Sequence, residues 1–502
     1  MTATTPRTAW VFRLMPLGCA VCLAGCVLVG PDYIAPTASE LNVPPSWQGA
    51  SPTSGTGLEV ANWWQHLGDP LLTRLITQAM QASPDVQSAR AKLRQTRAQR
   101  RLALGNLWPT ISAASSAQHR EISQSGVAGA QNPAGPNGAQ NAGFGGSQDL
   151  YDVGFDASWE PDIVGGQRRG LEAARADEEA SAATLGQTQV TLAAEVARNY
   201  VDARSAQARI GIAEANLASQ LETLALTEWR VEAGLASSLD AEQARTNVEQ
   251  VRAAIPVLET SLSKAEHRLA VLLGLAPAAL HDDLETAVPI PHVPELLTVG
   301  IPADILRQRP DVAAAERTLA AATARIGEAT AARYPSLTLS GSAGLEAMAL
   351  GALTNGSSIA ASVLGKLAQT VFDGGRIGAQ IDIRNAAQEQ SLANYKATVL
   401  GALEDVENAL VSIANSQARA TALTRAVESA RNAALLARHR YSSGLIDFQS
   451  VLDTERTVLT VEETLSGAEA DNTTAVIQLY KALGEGWAPA EGLTVANGVS
   501  KS

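Results

Sequence analysis

The chain of 502 residues holds three cysteines and six histidines that could carry chemistry, and their positions exclude most of it. Cys19, Cys22 and Cys26 all lie in the first 26 residues, so no disulfide framework, cysteine metal cluster or catalytic thiol can be built further along. His66, His119, His267, His281, His292 and His439 stand singly, without the HExxH or close pairing that metal ligation from a helix requires. No GxSxG, P-loop or GxGxxG frames the serines and acids, and Gly374-Gly375-Arg376 needs only to be a tight turn from strand to helix. We therefore expect no enzyme, no metal and no cofactor. One cysteine has a chemistry of its own. Arg7 and Arg13, the apolar run 14 to 25 and its small-residue end make a signal peptide, too short and too interrupted by Pro16 to span a membrane. Leu23-Ala24-Gly25-Cys26 looks like a bacterial lipobox. Its chemistry would be S-diacylglycerol and N-acyl modification of Cys26 after cleavage behind Gly25. The other possibility is a plain signal peptide with an incidental cysteine; Cys19 and Cys22 fit the box less well.

The rest of the composition describes the body that such an anchor would hold. The formal charge of −13 argues against nucleic acid, which needs a basic face to displace counterions. Aromatics are 4% of residues while alanine and glycine are plentiful, which suits close-packed helices in a long body. Pro31, Pro36, Pro44, Pro45 and Pro52 make residues 31 to 52 an extended tether.

The chain contains itself twice. Ser83-Pro84-Asp85-Val86 aligns with Arg309-Pro310-Asp311-Val312 at an offset of 226, which continues through Leu93/Leu319 and Pro109/Pro335. Later parts align at an offset of 210, through Val196/Val406, Arg230/Arg440, Gly234/Gly444 and Leu273-Gly274 over Leu483-Gly484. The glycine-rich stretch 126 to 147 supplies the extra residues of the first half and reads as a surface loop.

Each half changes period twice. Residues 83 to 105 and 309 to 332 are helical in pattern, and Pro109 and Pro335 then admit alternation. Residues 152 to 159 and 336 to 345 alternate most clearly, with 110 to 118 and 358 to 368 as weaker partners, making two hairpins and four strands. Their lengths suit tilted membrane strands with apolar residues outward, although a half-buried soluble sheet would alternate too. Tyr151, Phe155, Trp159, Tyr334 and Phe372 would form a thin aromatic girdle. Gly166 to Gly234 and Gly375 to Gly444 are free of proline, long enough for helices of roughly 100 Å at 1.5 Å per residue. Val399, Leu403, Val406, Leu410 and Ile413, and also Val451, Val458 and Leu465, give coiled-coil seams. Return helices run to Gly274 and Gly484. Four strands cannot close a barrel in lipid; three copies would give twelve.

In this order and spacing, Cys26 through Gly30-Pro31-Asp32-Tyr33, Asn62-Trp63-Trp64, Asp69-Pro70-Leu71, Ser158-Trp159-Glu160, Arg309-Pro310-Asp311-Val312, Tyr334-Pro335-Ser336-Leu337, Phe372-Asp373-Gly374-Gly375 and Tyr441-Ser442-Ser443-Gly444 resemble the TolC-like outer-membrane factors, specifically the NodT-type lipoproteins that partner RND pumps. The resemblance implies a mainly α fold with membrane β: a homotrimer with a twelve-stranded outer-membrane barrel, a periplasmic coiled-coil tunnel and an equatorial belt. It implies passive export from an inner-membrane RND pump through a periplasmic adaptor that docks at the helix tips, Gly234 and Gly444. It also implies a gate at those tips, with Asp453, Asp240, Arg440 and Tyr441 as matching positions. Asp240 is equally placed to complement a helix dipole, and Arg440 and Tyr441 to stabilise or pack a helix end. Ser450 stands where the family often has an acid.

The expected organisation is a signal peptide at 1–25, a lipidated tether at 26–60, a first repeat at 61–274, a linker at 275–302, a second repeat at 303–484 and a carboxyl-terminal segment at 485–502. The hairpins fall at about 109–160 and 335–372. A type I secretion duct or a coiled-coil adaptor lipoprotein are the alternatives, the latter disfavoured by two membrane-length hairpins.

Overall fold

The computed structural model describes residues 28–48, 60–122, 146–291, 305–306 and 308–487. After a 3-10 segment at Val60–Leu67, and leaving aside the one-turn helix His281–Leu284 and two 3-10 turns between the last two strands, the order is α1 (Pro70–Ala82), α2 (Pro84–Gly105), β1 (Thr110–Ile122), β2 (Gly146–Trp159), α3 (Gly166–Glu232), α4 (Ser238–Leu272), α5 (Pro310–Ala331), β3 (Ser336–Ala347), β4 (Ile359–Ala368), α6 (Arg376–Ser442) and α7 (Phe448–Ala482). The duplication is visible in lengths: α2 and α5 have 22 residues each, α3 and α6 have 67, and α4 and α7 have 35. Gly234, Gly274, Gly444 and Gly484, all at positive φ, end the four longest helices. Each makes the same pair of bonds, as Leu235 N–H donates to the Arg230 carbonyl at 2.7 Å and Gly234 N–H to the Val231 carbonyl at 3.0 Å. This is the Schellman cap, which needs a residue that tolerates the left-handed conformation.

By its contacts the chain divides into two compact units. The first comprises Met1–Tyr33, Arg97–Ala176 and Ala320–Glu389. It holds one antiparallel sheet of order β1-β2-β3-β4, in which the β2–β3 ladder joins one repeat to the other. Register places Ile111, Phe155, Leu339 and Val363 on one face and Ser112, Asp156, Ser340 and Ser362 on the other. The apolar face is bare: Ile111 is 73% exposed and Val363 91%. β1 and β4 are the sheet's edges, and each has a neighbour on one side only. Strands β1 and β2 extend beyond the alternation of 110 to 118 and 152 to 159. Backbone pairing continues where the hydrophobic pattern fades, through His119↔Asp149. Gly154 and Gly344 face each other so closely that a Cβ on Gly344 would lie 2.6 Å from the Gly154 Cα.

The second unit comprises Ile34–Thr96, Asp177–Leu319 and Gln390–Ser502. Its seam Val399, Leu403, Val406, Leu410 and Ile413 is buried throughout; Val451 is buried while Val458 and Leu465 are half-buried. Asp69 caps α1 through the Leu71 and Leu72 N–H groups at 2.9 and 3.0 Å and also accepts the Tyr200 hydroxyl at 2.6 Å. Burial and this bond push the Tyr200 hydroxyl pKa up. Trp63 stacks on Tyr480 at 5.0 Å and meets Trp64 edge-on at 5.8 Å. Arg309, buried, bridges Asp311 at 2.7 Å and Asp405 at 3.0 Å and donates to the Ala482 carbonyl at 2.7 Å, so the Arg-Pro-Asp motif ties a short helix to both long ones of its repeat.

Candidate functional site

The residues singled out near the tips all belong to the second unit, and the turns that hold them are built from local signals. The first tip closes with Gly234 and reopens with a capping box: the Ser237 hydroxyl accepts the Asp240 N–H at 3.3 Å, and the Asp240 carboxylate accepts the Ser237 N–H at 3.1 Å. In the second tip Asp447 caps α7, accepting the Ser450 hydroxyl at 2.6 Å and its N–H at 3.0 Å. Those bonds from Ser450, the side-chain one first, hold the Asp447 carboxyl below its usual range.

Tyr441 is 4% exposed, with its ring 5.4 Å from Phe448 in a small core with Ala244, Ala437, Val451 and Leu452. Arg230 clasps this tip from the first repeat: it donates to the carbonyls of Tyr441 at 2.7 Å and Ser442 at 3.1 Å, and its guanidinium lies 4.6 Å over the Tyr441 ring. Cationic donors at a helix carboxyl end satisfy orphan carbonyls and oppose the dipole. Arg440 is exposed, and its carbonyl accepts the Leu445 N–H at 2.9 Å. Asp453 is exposed one turn into α7, accepting from Gln449 at 2.9 Å. Further from the tips, Glu455 is 2% exposed and accepts from Thr223 at 2.7 Å and Arg438 at 2.8 Å. It lines a cleft of about 300 Å³ with Asn216, Ser219 and Arg431.

Thus Tyr441 joins Arg230 and Phe448 in one cluster, Arg440 and Asp453 are exposed in the single chain, and Asp240 is half-buried in its capping box. Cys26 lies outside the described residues. Sequence reasoning passed over Arg230, Asp447 and Glu455. The register that equates Arg230 with Arg440 was a signal for the first; the others show themselves only through their partners. Among the described residues no group of three His, Cys, Asp or Glu could hold a metal, and no helix is long and apolar enough to cross a membrane.

The sequence matches the family described as "Outer membrane efflux protein" over residues 75–275 and 301–485. The chain belongs to that family. It is 31% identical over 467 residues to nodulation protein T of Rhizobium leguminosarum bv. trifolii, covering 93% of this chain and 96% of that protein. It is also 31% identical over 473 residues to the antibiotic efflux pump outer membrane protein ArpC of Pseudomonas putida, covering 93% and 94%. The fold superposes on the outer-membrane channel OprN with a TM-score of 0.83 at 34% identity, covering 92% of this chain and all of that one. It also superposes on the open Neisseria gonorrhoeae MtrE channel with a TM-score of 0.80 at 26% identity, covering 92% and 98%. The mainly helical fold with one antiparallel four-stranded sheet is therefore that of TolC-like channels. As an outer membrane efflux protein, the chain is a channel component of the cell outer membrane and not an enzyme.

Proposed function

We propose that this outer membrane efflux protein is the exit duct of a tripartite pump. It would conduct passively what an inner-membrane RND-type transporter and a periplasmic adaptor deliver. The observation that carries this is the sheet: four strands with two edges and a bare apolar face. In lipid such edges leave unpaired backbone groups, so three copies joining β1 to β4 of the next would close a twelve-stranded wall. The duplicated helices, 67 and 35 residues in each repeat, supply a matching twelve-helix conduit. The pump and adaptor partnership follows from relatives named as efflux pump outer membrane proteins. The adaptor docks at the turns of Gly234 and Gly444.

The gate belongs to the second tip. Asp453 is exposed and beyond capping range of Asp447, so three copies around one axis form an acidic ring that attracts cations. Asp240 has a structural task in its capping box, Tyr441 anchors the tip core, and Arg440 faces outward as a contact for a neighbour. Asp453→Ala should lower cation selectivity or change single-channel conductance in planar bilayers. Values equal to wild type would remove Asp453 from the constriction. Cys26 carries the covalent lipid, and Cys26→Ser should abolish acyl labelling of the processed chain; persistent labelling would place the lipid elsewhere.

A further inference from the structure

The Gly30-Pro31-Asp32-Tyr33 motif has no part in conduction, yet the chain has built a seat for it. Residues 28–33 form no helix or strand. Gly30, at φ +89°, lies so near α5 that a Cβ there would stand 2.3 Å from the Gly327 Cα, and a Cβ on Gly327 would stand 2.6 Å from the Val29 carbonyl oxygen. Over this segment lies the guanidinium of Arg169, 2% exposed, from the first turn of α3. Its Nε donates to the Val29 carbonyl at 3.0 Å, and its Nη2 donates to the Gly30 carbonyl at 3.3 Å and to Asp32 Oδ1 at 2.6 Å. Nη1 is held by Glu172 at 2.8 Å. The Val29 N–H donates to the Val164 carbonyl at 3.3 Å, and Tyr33 packs beside Ala176, Ala320 and Ala321.

The duplication shows that this seat is made for one occupant. α3 and α6 start 210 residues apart, which equates Arg169 with Ala379; α2 and α5 start 226 apart, which equates Gly327 with Arg101. The equivalent corner of the other repeat therefore has neither the fork that reads the backbone carbonyls nor the bare Cα that lets them approach. A buried arginine with four directed bonds is a specific recognition device, and here it reads the segment that starts two residues past Cys26.

We propose that Arg169 and Gly327 form a dock for Leu28–Tyr33, and that the dock sets where the acylated amino terminus enters the bilayer. The second half rests on Cys26 being the acylated residue. Val29 is three residue steps from Cys26, a reach of about 10 Å at full extension. The acyl chains therefore enter beside the β2–α3 corner at Val164. Without the dock the next buried residue of the segment is Leu41, and the arm lengthens to about 50 Å of extended chain. The anchor is then a loose leash instead of a fixed post.

The test uses the full-length processed protein in phosphatidylethanolamine/phosphatidylglycerol vesicles, with size-exclusion elution confirming the assembly of each variant. Val27→Cys, outside the docked segment, is then the one free thiol and carries a bimane label; hydrogen exchange of the peptide covering residues 28–33 is measured on the unlabelled protein. Arg169→Met removes the fork, and Gly327→Ala keeps every charge but crowds the Val29 carbonyl oxygen at 2.6 Å and the Arg169 side-chain stem at 2.8 Å. Each should raise exchange at least tenfold and at least halve bimane quenching by shallow spin-labelled lipid. Asp32→Ala, whose side chain is 85% exposed, should act in the same direction by less. Unchanged exchange in both main variants would overturn the dock; faster exchange with unchanged quenching would overturn its positioning role. Cys26→Ser, made behind a cysteine-free leader that is cleaved without acylation, should keep the exchange protection and lose the quenching. Quenching retained in Cys26→Ser would refute the acyl anchor, and the positioning role with it, while the exchange of Arg169→Met and Gly327→Ala still judges the dock.

Discussion

The two ends of the helical hairpins use one cap for opposite purposes. At the tips, Gly234 has no atom within 4 Å of where a Cβ would sit, and Gly444 meets only the far end of Arg230 at 3.9 Å. At the other end, a Cβ on Gly274 would stand 2.9 Å from the Ala82 carbonyl oxygen, and one on Gly484 3.3 Å from the Gln308 carbonyl oxygen and 2.9 Å from the Arg309 Cα. These contacts are repeats of one another, since residues 82 and 308 are equivalent at the offset of 226. All four glycines supply positive φ; only the inner pair also supplies space. The inner ends are locked against the short helices, whereas the tips are held by the φ requirement and by the Arg230 clasp. The fold therefore holds the inner ends more tightly than the tips.

Gly484→Ala should break the comparison most strongly. Strain in the left-handed region and a backbone clash together cost about 3 kcal/mol, which should appear as a clear fall in thermal midpoint. Gly444→Ala and Gly234→Ala face strain alone, about 1 kcal/mol, and should keep assembly while altering gating noise. If all three substitutions cost the same, the inner ends are not locked.

A smaller effect separates the two inner caps. The residue after the glycine is Leu275 in one and Glu485 in the other. Glu485 is 7% exposed and Oε2 has no partner; Tyr480 Oη and the indole N–H groups of Trp63 and Trp64 are also unpartnered and buried. Burial pushes the Glu485 carboxyl up to about 8. Its folded pKa is raised above the unfolded value of 4.5, so stability is full below pH 4.5 and is lost as pH rises through 8. Thermal midpoints measured from pH 5 to 9 should decline in the wild type. They should flatten in Glu485→Gln and in Glu485→Leu, which restores the side chain of the other repeat. The same decline in all three would assign it to other groups.

The smallest effect belongs to the first tip, where Asp240→Ala removes half of an exposed capping box and should cost about 0.5–1 kcal/mol. Conductance should stay near the wild-type value. A loss of cation selectivity equal to that of Asp453→Ala would move the acid ring to the first tip.

Architecture was legible wherever a period or a special backbone angle writes itself into residue types. The glycines at 234, 274, 444 and 484 marked helix ends because few residues tolerate their φ, and the heptad Val399 to Ile413 marked a buried seam. Strand ends were less legible, since pairing at His119↔Asp149 continues without apolar alternation. Least legible were side chains defined by distant partners. Arg169 belongs to a run of polar helix residues and shows its role only beside Val29 and Asp32, 137 residues earlier. Glu455 needs Thr223 from the other repeat, and Glu485 departs from its repeat only once the caps are superposed.

The proposed trimer closes one wall through the edges β1 and β4 of neighbouring copies. Cysteines placed one at a time along residues 110–118, each combined with Ala361→Cys in β4 and oxidised in the membrane, test it directly. At the matching register a covalent species three chains in size, and nothing larger, should appear on a denaturing gel. Monomers at every register, or an open-ended ladder beyond three, would contradict it.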